Sequence, residues 1–368
     1  MATNHRRRCA LRIMLAGLCA CALLSPILPA VMAADLTPAQ VESAQQEQQQ
    51  QLSDVQRLPR RLHEQHQVER KVRRFPELKQ ILHRLHLYYG VVEGYDRNPN
   101  LNTPRKGSGY TEQDLGVGYI HRWGSRFIYR LSGHTRYVNY YKFANENLFD
   151  QILRGETALE LHPDWFVESE YVARWLWKPD DAQGNFAEQE TKIGLKHYLI
   201  RRRLYHKPSY IFQYRGHTKA RARLPDGSAS LTERHDVTHR LAYEIGVHPV
   251  PQLLLRVNNQ IGRNDSNDQF LDFYDYNFYQ VTPSVTWEAT KRLFMVTGVQ
   301  FQRNRYDDRA VRGTAERENF FAFFGSLFYH VTDTTSVGFH WTYVKDDSNL
   351  PELEYQSSNL SLGCYIHF

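Results

Sequence analysis

Apolar side chains alternate with polar ones along most of the chain from residue 83 to the C-terminus. Phe127 and Tyr129 show the pattern early, and Phe339 and Trp341 show it near the end. Successive side chains of a β-strand point to opposite faces, so this period of two indicates strands whose faces meet different environments. About fourteen such segments follow one another. The sequence therefore predicts an all-β fold, a closed antiparallel transmembrane β-barrel of about 14 strands, with twelve and sixteen as neighbouring counts.

The predicted connectors alternate between short and long. The short connectors are 122–125, 162–164, 203–207, 248–251, 289–291 and 331–335. The longer, polar connectors are 97–109, 139–147, 179–188, 224–230, 262–269, 307–317 and 345–353. Short periplasmic turns and longer outer loops are typical of outer-membrane barrels, and an even strand number leaves both ends on one side. Trp123, Trp165 and Trp287 lie beside short turns, where an aromatic girdle is expected.

The composition excludes a mature helical membrane protein. Mean hydropathy is −0.61, and after residue 34 there is no apolar run of the roughly 18 residues that a membrane helix needs. Aromatic residues nevertheless make up 13% of this polar chain, as the girdles of a barrel would require. A soluble β-sandwich or propeller could also produce alternating apolar and polar residues. Such a fold does not explain the two connector lengths and the aromatic terminus together.

Residues 1–33 have the pattern of a bacterial secretory signal peptide. Arg6, Arg7, Arg8 and Arg12 precede an apolar stretch, and Val31-Met32-Ala33 fits a small-residue cleavage site, so we expect the mature chain to start at Ala34. An uncleaved membrane anchor and lipidation at Cys21 are the alternatives.

Cleavage of this segment would change two bulk properties. It would remove four arginines and no acid, so the net charge would fall from +6 to +2 and nucleic-acid binding would lose its support. Cys364 would be the single remaining cysteine, so no internal disulfide and no thiolate zinc site is expected.

Residues 34–82 differ from the predicted barrel in composition. They are rich in Gln, Glu and Arg, and Leu and Val recur at loosely helical spacing, interrupted by Pro59 and Pro76. We expect a periplasmic helical or partly disordered segment, which serves as a plug, a docking arm, an oligomerisation helix or a solvated spacer. Its histidines do not form an HExxH motif, and no metal site is expected.

The positions between the apolar ones should face the lumen. The predicted lumen-lining cations are Arg126, Arg130, Arg136, Lys192, Lys196, Arg215, His217, Lys219, Arg221, Arg240 and Arg256. The predicted inward acids are Glu156, Glu160, Glu168, Glu170, Asp236, Glu244 and Asp272. The dense run from Arg215 to Arg221 has two interpretations: a track for an anionic solute, or a wall whose cations pair with these acids.

Catalysis is not predicted, and no cofactor is expected. The sequence contains no GxSxG elbow, no Walker loop and no HExxH motif. A lipid-modifying hydrolase remains a lesser alternative, for which His134, His197 and His239 are the residues to inspect. By parity, His197 and His239 face lipid.

The end of the first predicted strand, Gly94-Tyr95-Asp96-Arg97-Asn98-Pro99-Asn100, follows a helical lead-in, and the chain ends on Phe368. In these features the chain resembles the porin-type outer-membrane β-barrels associated with exopolysaccharide loci, which usually have Ser or Asn where this chain has Arg97. The resemblance implies location in the outer membrane, recognition of the C-terminal strand by the barrel-assembly machinery, and passage of sugars or polysaccharide. It implies no catalytic residues. The chain is also similar to the fourteen-stranded barrel of surface-lipoprotein assembly modulators, which carry a larger helical domain than residues 35–82 could form.

We therefore expect an outer-membrane channel of a Gram-negative bacterium, porin-like or an export conduit, that passes small polar or anionic solutes, sugars or exopolysaccharide. The alternative is a plugged assembly or secretion barrel. The expected partners are outer-membrane lipid and lipopolysaccharide, the barrel-assembly machinery through Phe368, and a polysaccharide or periplasmic export partner.

Overall fold

The computed structural model describes residues 85–98, 106–124, 126–180, 184–200, 203–269, 274–311, 314–348 and 355–368. Of residues 307–311, 314–316 and Ser348 only the backbone is described. The predictions for a signal peptide at 1–33 and for a helical segment at 34–82 lie outside these residues. Within the described part, one short 3₁₀ helix, Ala144–Glu146, interrupts an otherwise all-β chain.

The described residues form fourteen strands. They are β1 Leu85–Asp96, β2 Ser108–Trp123, β3 Phe127–Tyr140, β4 Leu148–His162, β5 Trp165–Trp177, β6 Phe186–Leu199, β7 Leu204–Arg223, β8 Ala229–Val250, β9 Leu253–Ser266, β10 Tyr276–Glu288, β11 Leu293–Val311, β12 Thr314–His330, β13 Thr335–Ser348 and β14 Tyr355–His367.

These strands close into one barrel. Each strand pairs antiparallel with its neighbour in the chain, and β14 pairs with β1, where Tyr89 lies opposite Ile366. Closure satisfies the backbone hydrogen bonds of every strand on both sides, which a lipid environment requires. The predicted closed fourteen-stranded barrel is confirmed.

The two faces of the barrel differ as the alternation predicted. Large apolar side chains such as Leu131 and Leu241 are more than half exposed on the outside, while Asp150 and Glu188 are buried on the inside. An apolar outer surface on a closed sheet is the arrangement that spans the outer membrane of Gram-negative bacteria, which is where this protein is located. Among the described residues, no helix has the length and apolar character needed to cross a membrane.

Several strands run further at their outer ends than the sequence predicted. β9 continues to Ser266, through most of the predicted connector 262–269, and most of the predicted connector 307–317 is strand in β11 and β12. These outer ends are polar on both faces, so they lack the period-two signal even though their backbones remain paired. A register shift between Arg305 and Ala310 marks where the β11–β12 ladder becomes irregular.

Inward glycines face aromatic rings on the neighbouring strand. Gly116 lies opposite Tyr88, and a Cβ atom at Gly116 would lie 1.9 Å from that ring. Gly246 lies opposite Tyr205, where the corresponding distance is 2.2 Å. The same arrangement joins Gly90 to Tyr365, Gly94 to Tyr110, Gly262 to Phe278 and Gly298 to Phe324. The absent side chain lets each ring lie against the barrel wall.

Candidate functional site

The barrel lumen is the candidate functional site, and its lining is divided into two unlike parts. We call the inward side chains of β2–β9 the cation-bearing wall and those of β10–β14 and β1 the cation-free wall. Among inward positions whose side chains the structure describes, every Lys and Arg belongs to the first wall. Each wall is made by alternate residues of consecutive strands, so its chemistry is set by one parity of the sequence.

Asp150 is the centre of the best-formed ion-pair group on the cation-bearing wall. Arg174 donates to it from Nε at 2.7 Å and from Nη2 at 3.0 Å, in the two-pronged geometry that guanidinium and carboxylate favour. Arg136 reaches the same carboxylate at 3.4 Å and Glu112 at 3.6 Å. Asp150 is 1% exposed and Arg174 4% exposed, so this group is packed into the wall.

A second group lies one pair of strands further around the barrel. Arg215 donates to Oε2 of Glu188 from Nη2 at 2.7 Å and from Nε at 2.8 Å. The guanidinium carbons of Arg215 and Arg174 lie 4.5 Å and 5.2 Å from the centre of the Phe186 ring. A desolvated cation over an aromatic face is an additional attraction, and here it links the two ion pairs through one ring.

Lys207 joins two carboxylates on the periplasmic half of this wall. Its Nζ lies 3.2 Å from Glu168 and 3.8 Å from Glu244, and the hydroxyl of Tyr205 donates to Glu244 at 2.8 Å. Lys196 lies 3.6 Å from Glu168. Further pairs join Arg130 to Glu156, Arg154 to Glu170, and Arg240 to Glu190. Each of these cations is therefore matched by a carboxylate that lies one or two strands away.

The structure places most, but not all, of the predicted lumen cations on the inward face. Arg130, Arg136, Lys192, Lys196, Arg215, His217, Arg240 and Arg256 lie at inward positions. Arg126 instead lies exposed in the turn that precedes β3. Of the predicted inward acids, Asp272 lies outside the described residues.

The predicted basic ladder ends at His217. Lys219 and Arg221 are exposed and lie beyond a register shift between Gly216 and Arg221, where β7 carries more residues than β8. Extra residues in one strand change which side chains point inward. The rule that odd-numbered residues of β7 face the lumen therefore holds up to His217 and not beyond it.

The outer mouth of the lumen has its own cluster. His217 contacts Asp236 at 3.0 Å, and Arg234 contacts His217 at 2.6 Å. The guanidinium of Arg234 lies 4.0 Å from the centre of the Tyr274 ring.

Four of these lining cations were not predicted from the sequence: Arg154, Arg174, Lys207 and Arg234. Arg174 could have been found, because it lies between the outward Ala173 and Trp175 and so has the inward parity.

The cation-free wall is lined by amides, hydroxyls and aromatic rings, together with the buried carboxylates Asp96, Glu318 and Asp346. Gln280 of β10 and Gln302 of β11 are register partners on this wall, and Gln260 of the adjacent β9, at the edge of the cation-bearing wall, extends them into a row. Nearby, Asn304 and Tyr306 both donate to Oε2 of Glu318, at 3.0 Å and 2.8 Å. An apolar cluster fills the same wall nearer the periplasm, formed by Val92, Phe294, Val296, Phe324, Phe328 and Tyr365. Single glutamines carry no motif, which is why the row was not predicted.

The three histidines considered for catalysis have different surroundings. His134 faces inward and contacts Asp114 at 3.0 Å. His197 faces outward, stacks on Trp165 and contacts His206 at 3.2 Å, while the outward His239 contacts the hydroxyl of Tyr210.

A serine–histidine pair occurs elsewhere, between the buried Ser326 and His340 at 3.0 Å. The other ring nitrogen of His340 contacts the hydroxyl of Tyr365 at 2.7 Å, where a hydrolase triad would have a carboxylate. Within the described part of the chain, no group of three or more His, Cys, Asp or Glu side chains is placed to hold a metal ion.

Comparison with known proteins gives structural matches and no sequence family. No family model matches the chain, and no curated protein matches it. The outer membrane channel DcaP of Acinetobacter baumannii is 9% identical with a TM-score of 0.45, and the match covers 77% of this chain and 97% of that chain. OmpT, an outer membrane protein of Vibrio cholerae, is 8% identical with a TM-score of 0.43 and the same coverage. OccAB4 of Acinetobacter baumannii is 7% identical with a TM-score of 0.40, covering 77% and 98%. At this level of similarity the matches carry no conclusion about what this chain does.

Proposed function

We propose that this barrel is an outer-membrane channel for small polar solutes and that neutral sugars are the class it suits best. The observation that carries the proposal is the division of the lumen into a cation-bearing wall and a cation-free wall. Two unlike walls create a field across the lumen, which orients polar molecules that pass between them.

The pairing of charges argues against a strong preference for anions. Arg174 and Arg215 are held by carboxylates at 2.7 Å, and Lys207 lies between two of them. A cation that is neutralised by an adjacent carboxylate attracts a passing anion much less than an unpaired one does. Anionic solutes therefore remain within the proposal, but without the advantage that an unpaired basic ladder would give them.

The cation-free wall supports the choice of sugars. Gln280 and Gln302 of this wall, with Gln260 at the adjoining edge of the other wall, carry amides that both donate and accept hydrogen bonds, as sugar hydroxyl groups do. Such groups recognise a neutral polyol without charge. The same channel could also export an exopolysaccharide, with a polysaccharide or periplasmic export partner. This extension of the proposal rests on the resemblance to porin-type barrels of exopolysaccharide loci.

Swelling of proteoliposomes tests the choice of solute. The full chain would be reconstituted and exposed to a neutral disaccharide and to a sugar acid of similar size. We expect the neutral sugar to enter at least as fast as the acid. Gln280→Leu removes one amide of the row and should slow the neutral sugar, whereas Gln113→Leu, at an exposed outward position of β2, is the matched control.

Two results would contradict the proposal. Entry of the sugar acid several times faster than the neutral sugar would indicate a basic track instead. A folded barrel that passes neither solute would favour the assembly or secretion barrel, in which the lumen is closed until a partner binds.

A further inference from the structure

Two histidines face each other on the outer surface of the barrel, close to the rim that carries the short turns. His197 of β6 and His206 of β7 are register partners, and each lies two residues from the end of its strand at that rim. Nδ1 of His197 lies 3.2 Å from Nε2 of His206. Both side chains are partly exposed, so they are open to ions at the rim. We call these two residues the histidine pair.

The histidine pair lies beside an interruption of the β6–β7 ladder. The paired residues stop at Gly194 and Ser209 and resume, in the same register, at His197 and His206. Pro208 lies in this interval and has no backbone N–H to give to the ladder. The two strands are therefore joined by fewer backbone hydrogen bonds at this point, where a link between side chains would add stability.

The separation of the two nitrogens suits one metal ion bound by both. Zinc binds imidazole nitrogen at about 2.0–2.1 Å with tetrahedral geometry, which places two ligand nitrogens about 3.3–3.4 Å apart. The distance of 3.2 Å in the histidine pair is close to that value. A hydrogen bond between the rings needs a hydrogen on one of these nitrogens, whereas a metal ion needs a lone pair on both. Imidazole can provide the second lone pair, because the hydrogen can move to the other nitrogen of the same ring.

Aromatic neighbours hold the two rings in place. The ring of Trp165 stacks on that of His197, with centroids 3.8 Å apart and planes at 10°, and the ring of Tyr243 lies 5.9 Å from that of His206. Side chains that are already ordered lose less entropy when a ligand binds. The indole face also attracts positive charge, and a metal ion on His197 would place such charge beside it.

We propose that the histidine pair binds one divalent transition-metal ion and thereby links β6 to β7. Imidazole nitrogen suits zinc, copper and nickel, whereas calcium and magnesium prefer oxygen ligands. The described residues supply no third His, Cys, Asp or Glu ligand, so water completes the coordination of the ion. The site lies on the outer surface and is independent of what passes through the lumen.

Calorimetric titration of the detergent-solubilised full chain with zinc chloride tests the site. Histidines elsewhere in the chain give a background that all variants share. We expect His197→Gln and His206→Gln each to weaken zinc binding at the site about 100-fold, because loss of a hydrogen bond that merely supports a ligand costs about 10–100-fold. His162→Gln removes an exposed histidine at the same rim, opposite Trp165, and should leave the titration unchanged. Equal zinc binding by all four proteins, or an equal loss in the three variants, would overturn the proposal.

Hydrogen exchange followed by mass spectrometry tests the link without any variant. Zinc should slow exchange of the backbone amides of β6 and β7 on both sides of Pro208 several-fold, because a link across the interruption opposes local opening. The β4–β5 turn at the same rim should exchange equally fast with and without zinc. Unchanged exchange around Pro208, at a zinc concentration that saturates the unmodified chain, would contradict the link.

Discussion

At the scale of single residues, the lumen depends on carboxylates that hold their cations in place. Asp150 accepts two hydrogen bonds from Arg174 and is almost completely buried. A buried carboxylate that loses its partner is left without compensation for its desolvation, whereas an exposed one regains water. The effect of removing a cation should therefore depend on burial more than on distance.

We predict that Arg174→Met lowers the free energy of unfolding by about 3–5 kcal/mol. Lys345→Met breaks a pair of similar length, 2.6 Å, whose side chains are 44% and 21% exposed, and should cost about 0–1 kcal/mol. Urea-induced unfolding of the two variants in lipid vesicles measures both changes. Equal and small losses would show that the lumen wall is as well solvated as the outer rim.

The sequence predicted which residues face the lumen but not how they pair. Parity assigned Arg130 and Arg215 to the inward face, and it also contained the information for Arg174. Pairing depends on register between strands, and register is set by turns and irregularities that a single sequence does not reveal. This is why the ion pairs of the cation-bearing wall could be read from the structure and not from the alternation.

At the scale of the elements, contacts between a glycine and a ring on the next strand shape the wall. Gly116 and Tyr88 are register partners, and the ring occupies the space where a Cβ atom would be. We predict that Gly116→Ala displaces the ring and destabilises the barrel by about 1–3 kcal/mol, again measured by urea unfolding.

Gly133 provides the matched control for that substitution. It lies on the outward face of β3, and a Cβ atom there would meet Leu153 and Val117 at an ordinary contact distance of 3.4 Å. Gly133→Ala should therefore change the free energy of unfolding by less than about 0.5 kcal/mol. A loss as large as that of Gly116→Ala would mean that backbone freedom, and not the ring, explains both glycines.

The last residue should matter for assembly more than for stability. The backbone N–H of Phe368 donates to Leu87 at 2.9 Å, but its ring is 70% exposed. We predict that Phe368→Ala reduces the amount of barrel in the outer membrane several-fold while changing unfolding of the purified protein by less than about 0.5 kcal/mol. Quantifying the heat-modifiable folded form in membranes, beside urea unfolding, distinguishes the two effects. If the purified variant is also clearly less stable to urea, lower stability would explain the lower yield. That result would contradict recognition of Phe368 by the assembly machinery.

The presence of each strand could be predicted from the sequence, but the residues at which the strands end could be predicted less well. All fourteen strands coincide with segments of apolar alternation, because the outer belt needs an apolar side chain at every second position. The outer ends of β9 and β11 were predicted as loops because they extend beyond the belt and lose that requirement. The bulge after Gly216 in β7 gave no signal and reversed the orientation assigned to Lys219 and Arg221.

At the scale of the whole molecule, the selectivity of the proposed channel would follow from the balance of charge across the lumen. Glu188 neutralises Arg215 on the cation-bearing wall. We predict that Glu188→Gln shifts the reversal potential in a salt gradient towards anion selectivity, because Arg215 then lacks its counter-charge. Glu93→Gln removes the same charge from the outer face, where Thr111 and Tyr141 donate to the carboxylate, and should leave the potential unchanged. Equal shifts in both variants would mean that total charge, and not the lumen wall, sets selectivity.

The most direct test of the central claim is the conductance of single molecules of the full chain in planar lipid bilayers. The proposed channel, with two unlike walls and paired charges, predicts stable, discrete conductance steps and a reversal potential close to zero in a salt gradient. Silence from a barrel shown to be folded would contradict the channel, and a strongly anion-selective potential would contradict the paired wall.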